Sequence, residues 1–177
     1  MRLFAALILP PLCAFAAGEL SGRRAPGFAL ADHTARLHDL ADYRGRAVIL
    51  DFMQVTCPHC VTFSKILEQV KAKYGGKVAI LSVVNPPSDM KGVTSYIANH
   101  KITSPILFDC GQVAYSYLLP KTGSVNVPHV FFIDAEGMIR NDVGYSDAAK
   151  DIFEGKGIFA EVEKLLAPKR RATEPRP

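Results

Sequence analysis

The chain has 177 residues, of which 49% are hydrophobic and 21% charged, with a formal net charge of +4. That length suits one domain with a full core, and that balance excludes a disordered chain. Part of the positive excess lies in the tail, at Lys169, Arg170, Arg171 and Arg176; with no basic helix face or aromatic-interleaved patch there is no case for nucleic acid, and the excess reads as a solvated terminus.

The first stretch reads as a targeting segment over residues 1–17. Arg2 supplies a short positive region, residues 3–12 are apolar apart from Pro10 and Pro11, and Ala14, Ala16 and Ala17 offer small residues for cleavage. The run is shorter than the roughly 20 residues of a membrane span. Leu12 is bulky before Cys13, which argues against lipid attachment there. A periplasmic or secreted protein is therefore expected, in an oxidising space where disulfides persist. Without Cys13 three cysteines remain, Cys57, Cys60 and Cys110. A close pair plus a single is not a structural disulfide framework.

Residues 18–24 read as a loose leader, residues 25–167 as the domain, and residues 168–177 as a disordered basic tail. Phe28 and Leu30 alternate in an extended segment after Pro26. Residues 36–38 suggest a second short strand and residues 39–43 a helical turn. Ala47–Met53 is apolar except for Asp51 and predicts a strand covered on both faces. A carboxylate there must be paired, exposed at a strand end, or protonated.

Cys60, Phe63, Leu67, Val70 and Tyr74 then recur in steps of three and four, the face of a helix that Gly75 and Gly76 end. Residues 77–84 predict a buried strand and residues 89–99 a helix with Val93, Tyr96 and Ile97 inward. Residues 106–108 predict a short strand, residues 112–119 a short helix, and residues 130–134 a strand turning at Gly137 into residues 138–143. A helical stretch over 147–166 is interrupted around Gly155 and Gly157. The strand–helix–strand rhythm predicts parallel strands with a right-handed crossover in an α/β fold.

The chemistry concentrates in Thr56-Cys57-Pro58-His59-Cys60. Cys57 falls at a helix start, where partial positive charge and unpaired N–H groups favour a thiolate, the nucleophilic form. Cys60 falls one turn later on the buried face, placed to attack a mixed disulfide formed at Cys57. A cationic His59 near the Cys57 sulfur stabilises the thiolate further, which makes the disulfide more oxidising.

This segment resembles the active site of the thioredoxin superfamily. Residues 25–166 are similar to the exported thiol–disulfide oxidoreductases of the TlpA/ResA type, which overlap the alkyl hydroperoxide reductase and redoxin families. The likeness includes Ala25-Pro26-Gly27-Phe28-Ala29-Leu30 and the run from Val127-Pro128 through Phe131, Ile133, Asp134 and Gly137 to Ile139. It implies a thioredoxin-like fold, a central mixed sheet flanked by helices, here with an N-terminal β extension. The Pro58-His59 dipeptide is that of DsbA-type oxidases.

The resemblance implies further roles. Asp51, six residues before Cys57, matches a buried acid that exchanges protons with Cys60. Pro128 matches a cis-proline facing the cysteine pair, leaving the Val127 backbone to pair with an extended substrate. Thr56 beside the pair is the third substrate-binding position. Val127 before the proline follows the DsbA pattern, where the reductases more often carry Thr. Those reductases also usually place Trp before the first cysteine, some with Glu three residues after the second; this chain has Thr56 and Phe63.

Cys110 reads as a small core residue, with a second resolving thiol as the other reading. The peroxiredoxin signature Pro-x-x-x-Thr-x-x-Cys is not intact around Cys57, and Val61 rather than His after Cys60 excludes haem attachment. A rival of another class is copper(I) or zinc held by Cys57 and Cys60 with His59 or His129. A lone C-x-x-C is half of a structural zinc site, and copper chaperones on this scaffold generally space the cysteines one residue wider, so no metal is expected.

The expectation is thus a thiol–disulfide oxidoreductase acting on cysteine-containing proteins, leaning to oxidase, with a TlpA/ResA-type reductase or a copper metallochaperone as alternatives. A membrane redox partner, oxidase or electron donor, a monomeric state and no bound organic cofactor complete it.

Overall fold

The computed structural model describes residues 19–120 and 125–168. The targeting segment and its cleavage site, Cys13 and all but the first residue of the tail lie outside the described residues.

Among the described residues five strands form one mixed sheet, in the order β5-β4-β3-β6-β7. The central strand β3 (Ala47–Met53) is parallel to β4 (Val78–Val84) and antiparallel to β6 (His129–Ile133). Strand β5 (Ile106–Phe108) extends the parallel side. Strand β7 (Ile139–Gly144) pairs antiparallel with β6 across a turn closed by the Gly137 N–H, which donates to Asp134 O at 2.8 Å. Gly137 has φ 77°, a conformation that glycine takes without a Cβ penalty. Every residue of β3 and β4 is buried, as near-continuous apolar runs between two helical layers require.

The layers follow strand alternation. Ala47, Ile49, Ile80, Val130 and Phe132 pack against helix α1 (Pro58–Tyr74), where Phe63, Leu67 and Val70 are buried, and against helices α4 (Lys150–Glu154) and α5 (Gly157–Leu166). Towards the strand ends that layer continues with Met53, Val84 and Cys60 against Val93 and Tyr96 of helix α2 (Met90–His100). The other face carries Val48, Leu50, Phe52, Leu81 and Phe131 against Tyr117 of helix α3 (Gln112–Leu118).

The N-terminal hairpin, β1 (Ala29–Ala31) and β2 (Leu37–Asp39), forms a separate two-stranded sheet. It is tied to the rest of the fold through Pro26 and Asp32 and braced internally by His38. The Tyr117 hydroxyl donates to Pro26 O at 2.7 Å, Asp32 bridges to Leu107, and buried His38 sits between Asp32 Oδ2 at 2.9 Å and the Tyr43 hydroxyl at 2.7 Å.

Helix ends follow side-chain chemistry. Asp89 accepts from the Gly92 N–H at 2.7 Å to start α2, and Asp109 accepts from the Val113 and Ala114 N–H groups at 3.1 and 2.8 Å to start α3. This corrects the core reading of Cys110. The chain leaves β5 by burying the Asp109 carboxylate as a cap, which turns the next residue outward, and Cys110 is exposed.

The layer between α1 and α4 rests on one aromatic contact, Phe63 on Phe153 at 4.8 Å, both fully buried. Phe63→Ala is expected to destabilise the fold by about 3–5 kcal/mol through lost burial and the cavity left behind, read as a lower midpoint in urea unfolding.

Candidate active site

Strand β3 ends at Met53 and the chain reaches α1 in four residues, the Cys57 N–H donating to Gln54 O at 3.2 Å. Cys57 is the helix N-cap, extended at φ −87° and ψ 117°, and Pro58 occupies the first helical position. A proline there costs no hydrogen bond. The cap is made by sulfur: the Cys60 N–H donates to Cys57 Sγ at 3.2 Å. This bond strengthens when the sulfur is a thiolate. Cys57 is half-buried and Cys60 fully buried, both as free thiols.

Opposite them, the Val127–Pro128 peptide is cis. The Cys57 thiol points to Val127 O at 3.9 Å. Two stretches about 70 residues apart in sequence thus meet at one sulfur, because β3 and β6 are neighbours with Phe52 opposite His129. Pro128 O accepts from the Tyr145 N–H at 3.0 Å, which fixes the proline turn to the end of β7. Thr56 is exposed beside Cys57.

Asp51 lies under this site with 0% of its surface exposed. It is on the central strand between Ser82 of β4 and Val130 of β6, so it is not at a sheet edge. Its Oδ2 accepts from the Ser82 hydroxyl at 3.4 Å, and Oδ1 has no partner among the described residues. Burial lifts its pKa to about 7 against the weaker pull of Ser82. Burial, then the Asp51 carboxylate, pushes the Cys60 thiol well above its ordinary value. A carboxyl titrating near neutrality under a thiol that resists ionisation is suited to trade a proton with it.

The same chamber holds a buried hydroxyl pair, Tyr96 and Ser64 at 2.9 Å. Burial raises the Tyr96 phenol above its ordinary value, with Asp51 and Cys60 adding to the rise. Sequence reasoning places Tyr96 inward, as found, but not its pairing with Ser64, and it does not single out Ser82. Ser82 is the lone polar residue in an apolar strand, and that was the available signal.

His59 is brought to the site edge but not onto the sulfur. Its ring stacks on Tyr145 at 4.1 Å, and Nδ1 pairs with Glu154 Oε1 at 3.0 Å. His129 stacks on Phe131 at 4.8 Å and spends Nε2 on Asp142 at 3.3 Å. Among the described residues, no group of three or more His, Cys, Asp or Glu side chains is gathered to hold a metal ion.

The family model of AhpC/TSA proteins matches residues 21–142, more than half of the chain. The chain belongs to the AhpC/TSA family. It is 28% identical over 132 residues to the thiol-disulfide oxidoreductase ResA of Geobacillus thermodenitrificans, covering 74% of this chain and 73% of that protein. It is 25% identical over 126 residues to the thioredoxin-like protein YneN of Bacillus subtilis, covering 70% and 71%. Among solved structures, one assigned as the DsbE thiol:disulfide interchange protein of Chlorobium tepidum superposes with a TM-score of 0.70 at 25% identity, covering 83% of this chain and 98% of that one. This AhpC/TSA-family protein therefore has a thioredoxin-like fold of the TlpA/ResA kind, and it is a thiol–disulfide oxidoreductase.

The Asp51 carboxyl makes stability depend on pH. The folded protein keeps a proton that the unfolded chain releases, so the contribution of this group is greatest below pH about 4 and is lost as pH rises through about 7. The rise from 3.8 to about 7 corresponds to roughly 4 kcal/mol. Asp51→Asn is expected to match the wild type near pH 4 and exceed it by about that amount at pH 8, in denaturant titrations at both pH values. Equal stabilities at pH 8 contradict a carboxyl whose pKa is raised by burial.

Proposed function

We propose that the protein exchanges disulfides with the cysteines of exported proteins through Cys57 and Cys60, acting as a monomer and as a disulfide donor. The observation that carries this reading is the half-buried Cys57 sulfur capping α1 and lying 3.9 Å from the carbonyl of the cis Val127–Pro128 peptide. That carbonyl is where the extended backbone of a substrate pairs by strand addition, beside the sulfur that reacts.

In the donating direction a substrate thiolate attacks Cys57 of the Cys57–Cys60 disulfide. The sulfur–sulfur bond breaks and Cys60 leaves, taking a proton from the Asp51 carboxylic acid. A second substrate thiolate then attacks its own sulfur in the mixed disulfide and releases the Cys57 thiolate. Two electrons have passed from the substrate to the pair. The α1 N-terminus and the Cys60 N–H hold the leaving Cys57 thiolate. A membrane partner that accepts two electrons, of the quinone-linked oxidase class, restores the disulfide. Val127 and Thr56 flank the sulfur as backbone platform and rim. His59 at the helix start supports the donor direction, because a cation there favours the reduced thiolate.

The reverse direction has its own support. Glu154 pairs with His59 and offsets that cation. A reductase fed by a membrane electron carrier uses the same residues with each step reversed.

Cys57→Ser is expected to abolish exchange, while Cys60→Ser accumulates mixed disulfides with substrate, seen on non-reducing gels; full turnover by Cys60→Ser contradicts the two-thiol scheme. Equilibration with glutathione, metal excluded, decides the direction. A potential near −120 mV, that of a strong oxidant, supports the donor, and one near −270 mV, that of thioredoxin, supports the reductase.

A further inference from the structure

Two residues far from the cysteines in sequence hold His59. Tyr145, at the end of β7, stacks its ring on the imidazole with centroids 4.1 Å apart and planes 28° apart. Its hydroxyl donates to Glu154 Oε1 at 2.6 Å, and the same oxygen takes His59 Nδ1 at 3.0 Å. The Tyr145 ring also packs on Phe153 at 5.5 Å, and Phe153 is fully buried against Phe63 of α1. Tyr145 is anchored at its backbone, where its N–H donates to Pro128 O. A single residue thus links the cis-proline turn, the histidine between the two cysteines and the carboxylate of α4.

Charge gives the linkage a consequence. The imidazole itself is faced by Tyr145 and Glu154; Asp147 and Cys57 act on the Tyr145 hydroxyl and Lys150 on the Glu154 carboxylate. The Tyr145 hydroxyl and His59 hold the Glu154 carboxyl below its usual range, so it is an anion. Lys150 lies 3.6 Å from its other oxygen. An imidazolium alone favours the Cys57 thiolate, which exists only in the reduced protein. An imidazolium paired to a carboxylate presents that thiolate with a dipole, whose field falls off faster than that of a charge.

We propose that Glu154, held by Tyr145, is a positioning residue that anchors His59 and offsets its charge, and thereby sets the redox potential of the Cys57–Cys60 pair below that of the same Cys-Pro-His-Cys stretch with an unpaired histidine. The inference rests on the exchange reading above and adds to it the residues that poise the exchange. It concerns one balanced equilibrium: protein disulfide plus two glutathione thiols gives protein dithiol plus glutathione disulfide.

The test measures that equilibrium at pH about 6 for the wild type, Glu154→Gln, His59→Ala and the double variant. Glu154→Gln is expected to shift it about threefold towards the dithiol, about 14 mV at 29.6 mV per tenfold for two electrons. In the His59→Ala background the same substitution is expected to shift it by less than half as much on a logarithmic scale. No shift, a shift towards the disulfide, or equal shifts in the two backgrounds overturns the proposal. A wild type that exchanges with glutathione but shows no His59–Glu154 coupling removes this inference alone. A wild type that does not exchange at all removes the exchange reading and this inference together.

Discussion

The rest of the site depends on one unfavourable placement, a carboxyl buried in the central strand directly beneath a buried thiol. Asp51 has no solvent, a single long hydrogen bond from Ser82 and an oxygen with no partner among the described residues. A carboxylate there is unfavourable by several kcal/mol, so the group keeps its proton until pH about 7. The surrounding strands and α1 are buried throughout their contact, and that apolar layer is what makes the placement both tolerable and useful. The fold gives up stability near neutral pH to hold, at the depth of Cys60, a carboxyl that titrates near neutrality, which is what the proposed proton exchange with Cys60 requires.

The two thiols are separated by environment more than by distance. Cys57 caps a helix and is half open to solvent; Cys60, three residues on, is shut beneath it with its thiol pushed towards the neutral form. One turn of helix is enough to give two identical side chains different roles, because it carries the second from the helix mouth into the layer that holds Asp51. The cis Val127–Pro128 peptide closes the mouth from the opposite side, and its position is set by the β3–β6 register, not by anything local to residues 127–128.

This division also explains what was legible in the sequence. The apolar run of β3, the three- and four-residue spacing of α1 and the Cys57–Cys60 pair are local patterns, and each lands within a residue or so of its element. Asp51 stood out because it broke an apolar run. Ser82 breaks an apolar run as Asp51 does and Tyr96 falls on the inward face of its helix, but the Asp51–Ser82 and Tyr96–Ser64 pairings arise only through strand register and helix packing, so the pairings leave no mark in the local pattern. Cys110 failed for a different reason: hydrophobic composition favours burial, yet the neighbouring Asp109 took the buried place because α3 needed its N–H groups capped. His59 was placed correctly at the helix start, but its partners Tyr145 and Glu154 come from the far end of the chain.

That last case bears on how far a dipeptide between two cysteines can define the redox behaviour of the pair. The residues at positions 58 and 59 set what charge is available at the mouth of α1. On the inference proposed above, the residues that face position 59 from other elements set how much of that charge the sulfur feels, since pairing the half-exposed imidazole with a partly buried carboxylate weakens the field at Cys57 without removing the histidine. The Pro58-His59 dipeptide resembles that of DsbA-type oxidases, while the chain is similar in sequence to the thiol-disulfide oxidoreductase ResA and in fold to a structure assigned as DsbE. On the same inference, the Glu154–Tyr145 contact joins those two observations physically: the same dipeptide, docked against a carboxylate supplied by the C-terminal part of the fold, has a lower potential than the dipeptide with an unpaired histidine.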